Sequence, residues 1–475
     1  TGRPQGIPPP EPAIRSSASF STHSRSPPRP MSKATNLSNR SVGREILALA
    51  LPALGVLAAN PLYLLLDTAV VGQLGTAELA ALAAGAAIQS TVTTQLTFLS
   101  YGTTARSSRF FGAGRRDQAV AEGVQATWVA LGIGTLLALI VGVFAQPLAQ
   151  ALAGDQDTAV RAAQWMRVSA FAVPMTLVIM AGNGWMRGVQ NTRLPFYLTL
   201  CGVIPGAALL PVLVGRFGLV GSAISNVVGM GITSSLFVVV LAREHARYDG
   251  DWSPRWRVIR SQLVLGRDLI LRSLSFQVSL LAAAAVAGRF GVVALAAHQL
   301  MLQLWNFLTL VLDSLAIAAQ TLTGSALGRG GAEKARGVGV QALRYSMLFA
   351  VALSAVFAVF APQIQGVFTS DPEVVDTLRV PWMLLIAMIL AGGAVFALDG
   401  VLLGAADAAF LRNLTLFSLL AVALPVILLS AVFGWGLAGI WIGQLGQVLT
   451  RLVGVVWRFR SMRWAVSGVD GKKEG

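Results

Sequence analysis

The most regular feature of the chain is a succession of long apolar segments separated by short polar connections. The first, Ile46 to Val71, holds no Lys or Arg. It is also longer than the roughly 20 helical residues that cross a bilayer. The pattern predicts twelve membrane-spanning helices, near residues 46–71, 78–105, 119–146, 159–186, 194–215, 218–242, 269–288, 292–323, 337–361, 376–403, 411–433 and 436–457.

The connections alternate in charge, and this alternation predicts the orientation. If the N terminus is cytoplasmic, the outer connections are nearly free of Lys and Arg, with only Arg216 and Arg289 on that side. Cytoplasmic loops normally carry the excess of basic residues. We therefore expect both termini in the cytoplasm. The inner basic residues are Arg106, Arg109, Arg115, Arg116, Arg187, Arg193, Arg329, Lys334, Arg336, Arg412 and those of the central loop and C-terminal tail.

Three segments lie outside the predicted spans. Residues 1–43 are rich in Pro, Ser and Arg and show no periodicity, which predicts a disordered N-terminal extension. Residues 243–268 are polar and basic and are predicted to form a long cytoplasmic loop between two halves of the chain. Residues 461–475 form a basic C-terminal tail.

The chain contains an internal duplication. Gly72 and Gly75 recur as Gly288 and Gly291, an offset of 216 residues. The pairs Gly112/Gly328, Gly114/Gly330 and Gly188/Gly404 keep the same offset. Because six spans is an even number, the two halves have the same orientation and are parallel repeats, a known plan for transporters. We expect an N-lobe at 44–242 and a C-lobe at 269–460, two six-helix bundles around a central cavity.

Composition restricts the class of protein. The chain of 475 residues is 55% hydrophobic and 12% charged, whereas a soluble domain has about 25% charged residues. We conclude that it is an all-α integral membrane protein. The net charge of +15 is expected to face anionic lipids rather than nucleic acid, because the basic residues lie in loops and tails. With one cysteine, Cys201, and no catalytic or zinc motif, we expect neither an enzyme nor a cofactor.

Asp67 is the first candidate for function, because it lies inside the first apolar segment. An Asp at the centre of a membrane helix costs about 2.5–3.5 kcal/mol. Pro52 and Pro61 in the same segment predict a bent or loosened helix, and Asn60 stands two helical turns before the acid. The repeat partner of Asp67 is Ala283, so this polar position belongs to one half only. We predict an ion or proton site, against the alternative of a structural acid hydrogen-bonded between helices.

Further polar residues within spans are candidates for the cavity lining. Asp313 and Asp399 are buried acids, and Asn183 occupies the repeat position of Asp399. Gln95 lies in a threonine-rich second span, and Asn306 lies near Asp313 on the eighth. Each could line a hydrated path or form a hydrogen bond between helices, and the sequence leaves both open.

The ordered motifs resemble the multidrug and toxic compound extrusion (MATE) family, nearest its DinF-type branch. The residues that carry the likeness are Pro52 with LDTAVVGQLG around Asp67, FFGAGRRDQA, RGVQNTRLP at 187–195, AAHQLMLQLW at 296–305 and ALDGVLLGAAD at 397–407. The resemblance runs from about residue 44 to 460. It implies two six-helix lobes working as a cation-coupled antiporter that exports drug-like compounds.

The resemblance also implies roles for particular residues. Asp67 matches the first-helix acid that binds the coupling proton or sodium, Asn183 an amide of the same polar cluster, and Asp399 a tenth-helix acid of some branches. The fifth helix has Gly206 and Leu210 where the family often has Asn and Asp, and the seventh has Gln277 where other branches carry Glu. Coupling would therefore depend on Asp67, and a proton is expected rather than sodium, although a sodium ion near Asp67 stays open.

The sequence therefore predicts a proton-coupled multidrug exporter that works by alternating access on amphipathic, often cationic compounds. We expect a monomer in the inner (plasma) membrane, with drug-like small molecules and the lipid bilayer as its partners. The alternative is a flippase for a lipid-linked saccharide of the same superfamily, which should have a strongly cationic central cavity. The few Lys and Arg within the spans favour the exporter.

Overall fold

The computed structural model describes Gly2 and residues 39–152, 155–248 and 250–468, and these are almost entirely helical. Most of the predicted extension 1–43 lies outside the described residues, although helix α1 begins within it, at Asn39. The helices of the first half are α1 (Asn39–Gly72), α2 (Thr76–Gln95), α3 (Phe98–Gly112), α4 (Arg116–Val143), α5 (Ala145–Leu152), α6 (Gln156–Ser169), α7 (Ala172–Gly188), α8 (Arg193–Phe217) and α9 (Leu219–His245).

The second half repeats this order. Its helices are α10 (Trp256–Arg289), α11 (Val292–Gly328), α12 (Ala332–Val359), α13 (Ala361–Phe368), α14 (Pro372–Thr377), α15 (Arg379–Gly404), α16 (Ala408–Ser418), α17 (Leu424–Phe433) and α18 (Gly436–Arg460). A π-helical turn, Leu419–Ala423, joins α16 to α17, so that together they form one span.

Within the described residues, ten helices or joined helices are long and apolar enough to cross a bilayer, and the bent pair α6–α7 would make eleven. The all-α membrane class is confirmed, whereas the count of twelve stays a prediction. The predicted second span corresponds to α2 and α3, which break at Leu96 and Thr97. Threonine hydroxyls bond back to the chain here, from Thr93 to the Gln89 carbonyl (2.9 Å) and from Thr97 to the Thr94 carbonyl (2.9 Å). Such bonds compete with the helical ladder and bend it.

The prediction of a loop over residues 243–268 is wrong for the second part of that range. Helix α9 continues to His245 and α10 begins at Trp256, 13 residues before the expected start of the seventh span at 269. Ile259, Leu263 and Leu265 pack against the apolar core, so this stretch is an amphipathic helix. The basic residues on its other side made the stretch resemble a loop, since charge density is a weaker guide to structure than the spacing of apolar residues.

The apolar core has one part that both halves share and three parts that each lie within one half. The shared core draws on both halves, with Ile46, Leu99 and Leu177 from the first and Leu322 and Val401 from the second. A second cluster, the N-lobe core, lies only within 71–223, and a third, the C-lobe core, only within 283–448. A fourth, smaller cluster lies within 120–241 of the first half. The shared core uses the first half of α1 and the last half of α11. The two bundles therefore join at the membrane side where α1 begins and have separate cores toward the other side.

Glycines at equivalent positions of the two halves allow the helices to pack closely at this junction. A Cβ at Gly112 of α3 would overlap the Ser325 carbonyl of α11, and a Cβ at Gly328 of α11 would overlap the Arg109 carbonyl of α3. Both contacts relate positions 216 residues apart. The turns that follow match too, since Gly114 and Gly330 both adopt φ of +79°. The duplication seen in the sequence is thus repeated in the packing of α3 against α11.

Gly328→Ala should destabilise the protein, because the added methyl group meets backbone that cannot rotate away. Overpacking of this kind costs about 1–3 kcal/mol. The matched control is Gly337→Ala on α12, where a Cβ meets nothing within 4 Å; there Ala should be neutral or slightly stabilising. Thermal unfolding of both variants in detergent checks the difference, and equal melting temperatures would show that the α3–α11 contact relaxes freely.

Candidate functional site

Asp67 lies on the one buried face of the second half of α1. Ala59, Tyr63, Asp67 and Val71 follow one another at four-residue spacing and are all buried, whereas Leu62 and Leu65 between them are 63% and 68% exposed. Residues four apart lie on the same side of a helix. The side chain of Asp67 is 2% exposed and points into the N-lobe. Helix α1 is continuous through Pro52 and Pro61.

Hydroxyl groups surround this carboxyl group. It faces the side chain of Ser222 on α9, which in turn accepts a hydrogen bond from Trp165 Nε1 (3.3 Å). One turn earlier on α1, Tyr63 donates to Ser225 Oγ (3.1 Å), and Ser225 donates to the Gly206 carbonyl (2.6 Å). The site is thus formed by α1, α6, α8 and α9, and all of its groups are neutral except the acid.

The Asp67 carboxyl group has no cationic partner among the described residues. Its Oδ1 atom is buried without a hydrogen bond, and no Lys, Arg or His of that part of the chain forms an ion pair with it. A buried carboxylate without a partner is strongly disfavoured. The arrangement therefore suits a carboxyl group that gains and loses a proton rather than one held permanently charged.

Asn183 and Asn60 are the two predicted companions of Asp67. Asn183 on α7 stands between Gly182, which packs on Phe237 of α9, and Gly184, which packs on α3. Ser222 and Phe237 are 15 residues apart on α9, or about 22 Å along the helix. Gly182, the neighbour of Asn183, thus contacts α9 well away from the hydroxyl that faces Asp67, and the grouping of Asn183 with Asp67 stays a prediction. Asn60 is exposed and forms no hydrogen bond to Asp67 in the described structure.

Asp399 lies in a second, charged site at the junction of the lobes. It accepts hydrogen bonds from Arg272 of α10 and Arg451 of α18. Both guanidinium groups also lie over the Phe276 ring, at 5.7 and 4.7 Å from its centroid. Arg272 is 15% exposed and Arg451 7%. Neighbouring Leu398 and Val401 belong to the shared core, so this is a buried ion-pair network.

Asp313 extends the charged site across the two lobes. It accepts a hydrogen bond from Tyr101 of α3 (2.6 Å), and Gln320 of α11 donates to the Tyr101 backbone carbonyl (2.8 Å). On the N-lobe side, Arg187 of α7 is buried and donates to Ser100 Oγ (3.2 Å). The charged site thus holds three arginines and two carboxylates.

The sequence did not single out these arginines. Arg272 and Arg451 lie within predicted spans, and an ionisable residue in a membrane segment is a candidate for function whichever its sign. By this rule, Arg272 and Arg451 are candidates in the same way as the acids within the spans. Of the other predicted polar residues, Gln277 is half-buried and Asn306 is exposed. Both side-chain polar atoms of Gln95 are buried and have no partner among the residues that the structure describes.

No trio of His, Cys, Asp or Glu side chains with metal-binding geometry occurs in the described ranges. His298 is buried against Trp441 and stands apart from the acids.

Comparison with known proteins agrees with this architecture. The MatE family model matches residues 52–212 and, a second time, residues 269–429. Protein DETOXIFICATION 44, chloroplastic, of Arabidopsis thaliana is 29% identical over 436 residues, covering 88% of this chain and 82% of that protein. DNA damage-inducible protein F of Escherichia coli (strain K12) is 29% identical over 422 residues, covering 83% and 90%.

Solved structures show the same fold. An outward-facing multidrug resistance MATE family transporter of the MOP superfamily aligns with a TM-score of 0.79 at 21% identity, covering 89% of this chain and 97% of that one. The two family matches together cover more than half of the chain, once in each half. The chain therefore belongs to the MatE family of multidrug efflux transporters and is not an enzyme.

Proposed function

We propose that this protein exports amphipathic small molecules in exchange for protons, and that Asp67 is the group that carries the proton. The observation that supports this most strongly is the isolation of the Asp67 carboxyl group: it is 2% exposed, and one oxygen has no partner. Burial of a charge in such a site costs several kcal/mol, whereas the neutral acid can hydrogen-bond to the hydroxyls around it.

The proposed cycle follows from this cost. When water reaches the site, the carboxylate is tolerated; when α1 packs against α9 and the site is dry, the protonated acid is favoured. Proton binding therefore favours one packing of α1 over the other, and a bound substrate favours the opposite one. A ligand shifts such an equilibrium by its difference in affinity for the two states. Exchange follows if substrate leaves as the proton enters.

A proton is favoured over sodium by the groups that surround Asp67. Ser222, Ser225 and Tyr63 can each donate or accept a hydrogen bond, and two of these hydroxyls are engaged with other partners. A sodium ion needs several oxygen atoms turned toward it at once. The family's fifth-helix Asn and Asp would supply them, but Gly206 and Leu210 stand there.

We propose the substrate class from the region in which the two lobes have separate cores. Where the lobes do not share a core, apolar side chains of α1 such as Leu62 and Leu65 are exposed. The rival flippase would need open cationic groups in the centre. Arg187, Arg272 and Arg451 lie near the centre, but Arg187 and Arg451 are buried, and Arg272, whose side chain is 15% exposed, shares the Asp399 carboxylate with Arg451. This favours drug-like compounds over a lipid-linked saccharide.

We further propose that the protein is a monomer in the inner (plasma) membrane and that both of its termini lie in the cytoplasm. The charge alternation of the loops supports this orientation. Two relatives of the chain are named as chloroplastic, so fractionation of the host cell is the direct test of the membrane.

Purified protein in liposomes tests the coupling. A fluorescent cationic dye is followed while a pH gradient or a sodium gradient is imposed alone. The pH gradient should drive dye transport, and nigericin, which collapses it, should stop that transport. The sodium gradient at equal pH should give the rate of protein-free liposomes. Dye movement driven by sodium alone would contradict proton coupling.

A further inference from the structure

A polar cavity of about 630 Å³ lies between α3, α4 and the first turns of α10. Its polar lining includes Arg106, Glu122, Gln125, Arg255, Arg257 and Ser261. None of these residues belongs to the Asp67 site or to the charged site at the lobe junction. The lining has three arginines and one glutamate, a net charge of +2. The volume falls within the range of about 300–1,000 Å³ that small-molecule sites occupy.

The floor of the cavity is formed by side chains that bond to Glu122. Arg106 forms two hydrogen bonds to Glu122, both of 2.7 Å, and Gln262 donates to Glu122 Oε2 (3.0 Å). Glu122 is 4% exposed. Because Arg106 neutralises this acid, the excess positive charge of the cavity comes from Arg255 and Arg257.

Arg255 and Arg257 are exposed at the rim, but the chain that carries them is fixed. Gln125 of α4 donates to the Ser253 carbonyl (3.0 Å) and accepts from the Arg255 backbone N–H (2.7 Å). Trp128 of α4 donates to the Trp252 carbonyl (2.8 Å). No carboxylate of the described residues forms an ion pair with either arginine. Because the backbone at this position is already held, only the two side chains lose freedom when an anion binds.

The surroundings place the cavity at the level of lipid headgroups. Trp128, Trp252 and Trp256 lie beside it and are 42%, 42% and 69% exposed. Tryptophan is enriched where membrane meets water. The cavity also opens on the side where the lobes share a core and where the loops carry most Arg residues. That side faces anionic lipid if the termini are cytoplasmic.

We propose that this cavity binds a phosphate-bearing anion, whose source is either the headgroup of an anionic lipid or a soluble phosphate compound. Arg255 and Arg257 would meet the phosphate, and Gln125 and Ser261 would hydrogen-bond to the group it carries. The cavity is walled by α3 and α4 from the first half and by α10 from the second. A ligand held by both halves favours the state in which they are joined.

Binding is tested on wild type, on the double variant Arg255→Gln/Arg257→Gln and on the control Arg260→Gln. Arg260 is exposed on the same helix and does not line the cavity. One arm uses native mass spectrometry of protein from nanodiscs of phosphatidylcholine with phosphatidylglycerol, counting retained phosphatidylglycerol. The other uses equilibrium dialysis with radioactive inorganic phosphate. Loss of two cations near an anionic group should weaken binding about 30-fold.

Each outcome decides the proposal. Retained phosphatidylglycerol that is lost in the double variant and kept in Arg260→Gln supports the lipid as source. Saturable phosphate binding with the same dependence, and no retained lipid, supports a soluble compound. Binding of neither probe overturns the proposal, and so does an equal loss in Arg260→Gln, which would indicate general surface charge. Unchanged melting temperatures show that each variant is folded.

Discussion

Asp67→Asn should reduce proton-driven dye export to the rate of protein-free liposomes. Asn has nearly the same shape and hydrogen-bonding capacity as a protonated Asp, so the variant should fold and bind substrate. It cannot change its charge, and proton binding would therefore no longer bias the packing of α1. Dye transport in liposomes with an imposed pH gradient measures the effect.

Asp376→Asn is the matched control for this variant. Asp376 is 71% exposed and forms an ion pair with Arg379, three residues further on, so the same substitution there should leave transport unchanged. Equilibrium binding of the dye, measured without a gradient, should persist in Asp67→Asn. A wild-type rate with wild-type pH dependence in Asp67→Asn would refute the role of this acid.

Asp399→Ala should be the most destabilising single substitution in the charged site. It leaves the guanidinium groups of Arg272 and Arg451, whose side chains are 15% and 7% exposed, without their shared carboxylate. Removing one partner of a buried ion pair costs about 3–5 kcal/mol, because a charge remains in a poorly solvated place. Thermal unfolding in detergent measures this as a large fall in melting temperature.

Two further variants separate charge from packing. Asp407→Ala removes a more exposed partner, from Arg458, and should cost far less. Replacing Arg272 and Arg451 by Met in the Asp399→Ala background removes the unpaired charges and should restore part of the loss. If Asp399→Ala and Asp407→Ala unfolded at the same temperature, the network would not be a source of stability.

Much of the architecture could be predicted from the sequence because a bilayer restricts the choices. Apolar segments of spanning length must be helical, since no water is present to bond the backbone. The glycine landmarks such as Gly112 and Gly328 revealed the duplication, because backbone contact leaves no room for a side chain. The second span was harder, as its threonines interrupt the helix at Leu96.

The site was predicted only in part, because the sequence does not give distances across the bundle. Asp67 was conspicuous as an acid in an apolar run. Its neighbour Ser222, and Trp165 that donates to Ser222, are ordinary residues on distant segments and carry no signal of their own. Asn183 resembles a polar residue of the family's motif, but its neighbour Gly182 contacts α9 at Phe237, about 22 Å along that helix from Ser222. Arg272 and Arg451 could have been found by treating buried cations like buried acids.

The symmetric glycine contact between α3 and α11 has a mechanical consequence. From Ser325, at the crossing, α11 extends to Val292, an arm of roughly 50 Å. A rotation of that arm by about 10° about the crossing would move its far end by roughly 9 Å, while the atoms at the crossing hardly move. A small rotation at the crossing is thus amplified into an opening at the far end that is wide enough for a small molecule.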